Sequence, residues 1–156
     1  MIELAIPGRP TLRLTTAVLD FNGTLACDGR LCEGVAERLA ALSSRLALHV
    51  VTGDTTGTAR QVLSALPVLV HIMPPDRQGA AKRAFLDGVD VAATVVFANG
   101  SNDCGIVESA ALSIVVVGPE GCAVDTLMHA DIACARIDDA LDLLLTPSRI
   151  IATLRR

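Results

Sequence analysis

At 156 residues, 51% of them hydrophobic, the chain is long enough to bury a core of its own, and a formal charge of −4 with no basic run argues against nucleic acid as a partner. No apolar run approaches the roughly 18 residues of a membrane span, and the N-terminal MIELAIPGRP has neither the charged head nor the apolar centre of a signal peptide, so a single cytoplasmic domain over residues 1–156 with no membrane partner is expected. Five cysteines (Cys27, Cys32, Cys104, Cys122, Cys134) are odd in number and form no CxxC pair, which fits neither a disulfide framework nor a zinc site and predicts buried, reduced thiols.

In chain order, IELAI (2–6) and TLRLTTAVLDF (11–21) flank the turn-forming PGRP, which predicts a small N-terminal hairpin leading into a buried strand that ends near Asp20. EGVAERLAALSSRL (33–46) has helical spacing, with Val35, Leu39 and Leu42 on one face, and ALHVVTGD (47–54) is the next strand. TTGTARQVLSAL (55–66) reads as a helix opened by threonines and ended by Pro67. The unit then repeats: strand VLVHIM, helix DRQGAAKRAFLDG, strand ATVVFANG, helix NDCGIVESAAL, strand SIVVVG, helix CAVDTLMHA. IDDALDLLL and PSRIIATLRR close the chain as helices. Aromatics make up only 2% of the residues, so the core must be Val, Leu, Ile and Ala, the usage of a parallel sheet with helices on both faces. The fold class is therefore α/β, a Rossmann-like, doubly wound, mainly parallel sheet with the small hairpin at its start.

Ligands of open α/β sheets bind at the carboxyl ends of the strands, so polar residues there carry the chemical signal. Those ends read Asp20-Phe21-Asn22-Gly23-Thr24, Thr52-Gly53-Asp54-Thr55 and Asn99-Gly100-Ser101-Asn102-Asp103, with Lys82 inside an intervening helix. A strand-end carboxylate such as Asp20 can attack phosphorus and form an aspartyl phosphate. The phosphoryl group then needs donors and positive charge: the Thr52 hydroxyl, backbone N–H groups around Gly53, and the compact cation of Lys82. Asn99 and Asp103 offer hard oxygens that, with Asp20, suit Mg2+, whose ligands lie at about 2.1 Å. Gly23 and Gly100 let backbone approach a ligand closely. Each element has an ordinary alternative, since TGD also caps helices and NGSND is also a polar turn in which Asn102 or Asp103 caps the next helix. It is their joint occurrence along one sheet edge that points to phosphoryl chemistry.

These residues resemble the haloacid dehalogenase superfamily of phosphotransferases from Asp20 to roughly Gly118. DFNGTLA is similar to its first motif, VVTGDT to its second, Lys82 to its third-motif lysine and FANGSNDCGIVESAALSIVVVG to its fourth. The D-x-x-G-T, T-G-D and N-G-x-N-D spellings most resemble the P-type ATPase branch, and within it the small soluble proteins without membrane helices. The resemblance implies a Mg2+-dependent phosphatase in which Asp20 is nucleophile and metal ligand and Asn22 lends its backbone carbonyl to the metal. It implies further that Thr52 and Lys82 bind the phosphoryl group, and that Asp103, with Asn99 or Asn102, completes the metal site.

Two departures qualify the expectation. Phosphatases of this superfamily usually carry a second aspartate two residues after the nucleophile as general acid and base; Asn22 can do neither, and such help is worth roughly 10²–10⁴-fold. Asn99 stands where an aspartate is common, which removes a charge and predicts weaker metal binding. No cap domain fits between the motifs, so an open site is expected, serving a small or macromolecular phosphorylated substrate unless a second subunit of a homo-oligomer covers it. The competing readings are a phosphoacceptor or regulatory phosphate-binding module with little turnover, against which stands the missing acidic pair of receiver domains, and an ATPase-like hydrolase, which lacks a nucleotide-binding domain.

Overall fold

The structure, a computed structural model, describes residues 1–155. Arg156, the last residue of the predicted C-terminal helix, lies outside them. The hairpin forms from β1 (Ile2–Leu4) and β2 (Leu12–Leu14), antiparallel with Ile2 opposite Leu14. It delivers the chain into β3 (Thr16–Leu19), four residues buried on both faces. Then follow β4 (Ala26–Cys27), β5 (Arg30–Leu31), α1 (Val35–Ser43), β6 (Ala47–Thr52), α2 (Ala59–Val62), β7 (Leu69–Ile72) and α3 (Gln78–Asp87). The second half runs β8 (Thr94–Ala98), α4 (Cys104–Ser109), β9 (Leu112–Val116), α5 (Val124–His129), β10 (Ile132–Cys134), α6 (Ile137–Leu145) and α7 (Pro147–Leu154).

Six strands make one parallel sheet in the order β10-β9-β8-β3-β6-β7. The chain builds outward from β3 to β6 and β7, then α3 carries it back so that β8 pairs with the other side of β3. That reversal opens a crevice at the carboxyl ends of β3 and β8, the place where open α/β sheets hold ligands. Alternation of side chains divides the core in two. Leu19, Val50, Phe97 and Ile114 face α1, α6, α7 and the hairpin, while Val18, Val51, Val96 and Val115 face α3, α4 and α5. The Arg38 guanidinium binds Asp142 through two hydrogen bonds of 2.7 and 2.9 Å and fastens α1 to α6. No helix among the described residues is long and apolar enough to cross a membrane.

Three elements differ from the sequence expectation. The predicted helix over 55–66 shrinks to the single turn of α2, because Thr55, Thr56 and Thr58 use their hydroxyls in loop contacts and Gly57 takes a φ of +68°. A second hairpin, β4–β5, follows the nucleophile motif; its turn is Asp28-Gly29, both with positive φ (50° and 72°), which is the backbone a two-residue hairpin turn of matching twist requires. The edge strand β10 was not anticipated, since three residues carry no readable period. The cysteines are free as expected, but half-buried rather than buried. No inserted cap unit occurs among the described residues.

His49 on β6 and His71 on β7 stand with ring nitrogens 3.1 Å apart beside Phe85 of α3. Burial lowers the pKa of both, helped at His49 by the charge of His71 and at His71 by that of Arg60. Because the folded pair resists protons that the unfolded chain accepts at its ordinary value of 6.5, stability should fall as pH drops through that value. Thermal midpoints from about pH 7.5 to about pH 5.5 should fall several degrees further for the wild type than for His71→Gln; parallel curves would contradict the pairing.

Candidate active site

Asp20 is the first residue beyond β3, Asn99 the first beyond β8, and Thr52 the last of β6, so adjacent parallel strands deliver all three to one edge. A cleft of about 170 Å3 opens there, lined by Asp20, Asn22, Thr52, Gly53, Asn99 and Gly100, together with Thr55, Gln78 and Asn102. Seven of the residues singled out by the sequence thus share one cavity wall. Lys82, Asp103 and Gly23 do not: Lys82 and Asp103 are fully buried behind the wall, bonded to its residues Asp20 and Gly100.

The Lys82 ammonium donates to Asp20 Oδ1 at 2.6 Å and to Asp103 Oδ1 at 2.5 Å. The other oxygen of Asp103 accepts the backbone N–H of Gly100 at 3.0 Å and that of Asn99 at 3.4 Å, which fixes the loop after β8. One cation therefore serves two buried carboxylates and leaves a net negative charge. Burial, with the charge of Asp103, pushes Asp20 up to about 7 against the pull of Lys82. Burial alone would lower Lys82, but the two carboxylates more than offset this and hold it above the ordinary lysine value. Removing Lys82 would strand both carboxylates, a loss on the order of 3–5 kcal/mol.

Thr52 Oγ1 accepts the Asp54 N–H at 3.0 Å, so its own proton is free to be donated into the cleft. Asp54, at a φ of +47°, turns its carboxylate away to accept the Ala59 N–H at 2.9 Å and caps α2. Within TGD the threonine lines the cleft and the aspartate caps the helix. Gln78 was missed by sequence reasoning. Its amide lies across Gly53, where a Cβ would come within 2.3 Å of it, and its Oε1 accepts from Asn102 Nδ2 at 2.8 Å, which links the loops after β6 and β8. The signal was its place as the first residue of α3, one turn before Lys82.

The Asn22 amide donates to Thr55 Oγ1 at 3.2 Å, and its oxygen accepts from Thr56 Oγ1 at 3.5 Å. Asn22 ties the nucleophile loop to the threonine loop and has no titratable group to offer. Gly23 departs from expectation: it does not line the cleft. Its φ of +77° is one that only glycine adopts without strain, and a Cβ there would lie 2.1 Å from Asn99 Nδ2. The Asn99 side chain is held on both sides, accepting from Thr24 Oγ1 at 3.2 Å and donating to Gly121 O at 3.1 Å.

The donor set fits a hard divalent cation. Asp20, Asn22, Asn99 and Asn102 line the cleft and carry oxygens of the type Mg2+ prefers, over an ion cluster with negative charge to spare. Asp103 is committed to Lys82 and to backbone N–H groups, so it supports such a site from beneath.

No sequence-family profile matches the chain. Two uncharacterized proteins of Methanocaldococcus jannaschii do: one is 43% identical over 61 residues, 39% of this chain and 66% of that protein, and the other is 46% identical over 39 residues, 25% of this chain and 89% of that protein. The chain thus spans just under two thirds of the first. Among solved structures it is similar to 3-deoxy-D-manno-octulosonate 8-phosphate phosphatase from Moraxella catarrhalis, in complex with magnesium ion, phosphate ion and a KDO molecule, with a TM-score of 0.70 and 18% identity over 91% of this chain and 94% of that one. The cobalt-bound form of the Haemophilus influenzae phosphatase of the same name has a TM-score of 0.70 at 13% identity, covering 86% and 88%. A haloacid dehalogenase-like hydrolase of Streptococcus pneumoniae has a TM-score of 0.63 at 13% identity, covering 83% and 97%. The chain belongs to the family of the shorter Methanocaldococcus jannaschii protein, and its fold is that of the haloacid dehalogenase superfamily.

Proposed function

We propose that the protein is a Mg2+-dependent phosphohydrolase that works through an aspartyl phosphate on Asp20 and turns over slowly. The observation that carries this reading is the Lys82 ammonium held between Asp20 and Asp103 directly beneath a cleft that also exposes Thr52 and Gly53. An ion cluster buried at such cost has a ready use where charge must be neutralised during phosphoryl transfer. Support also comes from the neighbours of the same fold, phosphatases whose crystals hold magnesium with phosphate, or cobalt.

In the first step a carboxylate oxygen of Asp20 forms a bond to phosphorus, and the bond from phosphorus to the ester oxygen breaks, its electron pair leaving with the alcohol oxygen. Thr52 Oγ1, the Gly53 N–H and the Gln78 amide donate to the phosphoryl oxygens, and Lys82 balances their charge. Asp20, the Asn22 carbonyl and the amide oxygens of Asn99 or Asn102 would hold the magnesium ion, with Asp103 in support; when bound, the ion lets two anions approach. In the second step water attacks phosphorus, phosphate leaves and the Asp20 carboxylate is restored. Asn22 neither protonates the departing oxygen nor deprotonates the water. Leaving groups stable as anions are therefore favoured, and the acyl phosphate persists, as the likeness of the motifs to the P-type ATPase branch also suggests.

Turnover of an aryl phosphate should vanish in Asp20→Asn with the fold retained, and should vanish on chelation of divalent ions, with half-saturation by Mg2+ in the high micromolar to millimolar range. Retained phosphate release in Asp20→Asn rules the mechanism out. Asn22→Asp should raise steady-state turnover by about tenfold or more and abolish the initial burst of aryl alcohol; an unchanged rate would contradict the role given to Asn22. A stability measurement checks the raised pKa of Asp20. The folded state holds this proton more tightly than the unfolded chain, whose value is 3.8, so ionising Asp20 costs stability as pH rises from 3.8 towards 7. Without divalent ions at about pH 8, Asp20→Asn should melt no lower than the wild type.

A further inference from the structure

Two asparagines that follow β8, Asn99 and Asn102, line the cleft, and their carboxamides are engaged differently. Both ends of Asn99 are spent on residues outside the cleft: its oxygen accepts from Thr24 Oγ1 and its nitrogen donates to Gly121 O. Thr24, with Gly23, borders a separate cavity of about 280 Å3 beyond the Asn99 side chain. Asn102 has one end to spare. Its Nδ2 donates to Gln78 Oε1 at 2.8 Å, while its Oδ1 lies against Gly100, where a Cβ would come within 2.6 Å of it. Gln78, Gly100 and Asn102 all line the cleft, and among the described residues no donor reaches Asn102 Oδ1.

Gln78 is itself held in place. A Cβ at Gly53 would meet its Cδ, Nε2 and Oε1 at 2.3, 2.3 and 2.5 Å, so the amide lies face-on over Gly53. One turn further along α3, Lys82 binds Asp103, the residue next to Asn102. The same helix thus grips two consecutive residues of the loop, one through an amide and one through a charge.

Two amides that share one hydrogen bond have two self-consistent arrangements. With Asn102 as donor, an oxygen stays free on Asn102 and N–H groups stay free on Gln78. With both amides turned over, the free ends are N–H on Asn102 and oxygen on Gln78. The structure holds the first. Only the first suits a cation beside a phosphoryl group, because the cation needs the Asn102 oxygen and the anion needs the Gln78 N–H.

Resting on the phosphohydrolase reading above, we infer that the amide oxygen of the metal site comes from Asn102 and not from Asn99. In this arrangement Gln78 is the positioning residue: one hydrogen bond leaves that oxygen for the ion and the Gln78 N–H for the phosphoryl group. Each ligand stabilises the same arrangement of the pair, so metal and phosphate strengthen one another's binding beyond their direct attraction.

Mn2+ titrated into the chain and followed by electron paramagnetic resonance tests this without turnover. Gln78→Met keeps the length of the side chain and removes the acceptor; it should weaken Mn2+ binding by about tenfold or more, as should Asn102→Ala. The double variant should bind no more weakly than Asn102→Ala, because Gln78 acts on the ion through Asn102. Gln78→Glu keeps the acceptor and loses the donor: Mn2+ should bind at least as tightly as to the wild type, and inorganic phosphate at saturating Mn2+ about tenfold more weakly. When Mg2+ is added to the chain with isotope-labelled asparagine, the NMR signal of Asn102 Cγ should move further than that of Asn99 Cγ. Wild-type Mn2+ affinity in Gln78→Met, single losses that multiply in the double variant, unchanged phosphate affinity in Gln78→Glu, or a larger shift at Asn99 overturns the inference alone. A wild type that binds no Mn2+ overturns the phosphohydrolase reading with it.

Discussion

The arrangement depends on one ammonium group placed between two carboxylates. Lys82 reaches Asp20 and Asp103 from α3, the helix that carries the chain back across the sheet, so the connection that creates the crevice also supplies its charge. The loop after β8 is folded around the same cluster, because Asp103 accepts the backbone N–H groups of Asn99 and Gly100 while it holds Lys82. Burying this set costs desolvation energy that its internal attraction only partly returns, and the cost appears as an Asp20 proton held up to about 7. A divalent cation would remove that cost by supplying the missing positive charge. The same cluster would then shape the loop, position the nucleophile and create a demand for metal.

Around it, asparagines take places where acidic groups would act on protons or metal. Asn22 spends its amide on Thr55 and Thr56, and Asn99 spends its own on Thr24 and Gly121. Both side chains brace loops, and neither adds negative charge beside the Asp20–Asp103 pair. In a site already short of positive charge, neutral amides keep the loops in place without raising the electrostatic cost. On this account slow turnover and modest metal affinity follow from one choice of side chain.

Much of this was legible in the sequence, and the reasons differ by element. The buried strands β3, β8 and β9 announce themselves as runs of Val, Ile and Leu, and Asp20, Thr52 and Asn99 follow from strand ends, because a parallel sheet places its carboxyl ends on one edge. Helix 55–66 was over-read because hydroxyl contacts in the loop outcompete helix formation at threonine, which no periodicity records. The Asp28-Gly29 turn carried a readable hairpin signal that its two-residue strands were too short to support. Gln78 and the two cavities depend on which side chains meet across loops far apart in sequence. That information lies in the packing, and no local pattern contains it.

The central claim is that Asp20 is phosphorylated and that the adduct lasts. Acid quenching during turnover of a phosphate-labelled aryl phosphate with Mg2+, followed by peptide mapping, tests it directly. The account predicts hydroxylamine-labile phosphate on the peptide containing Asp20, approaching one per chain at steady state and absent from Asp20→Asn. Steady phosphate release with no label on that peptide, or label on another residue, would contradict it.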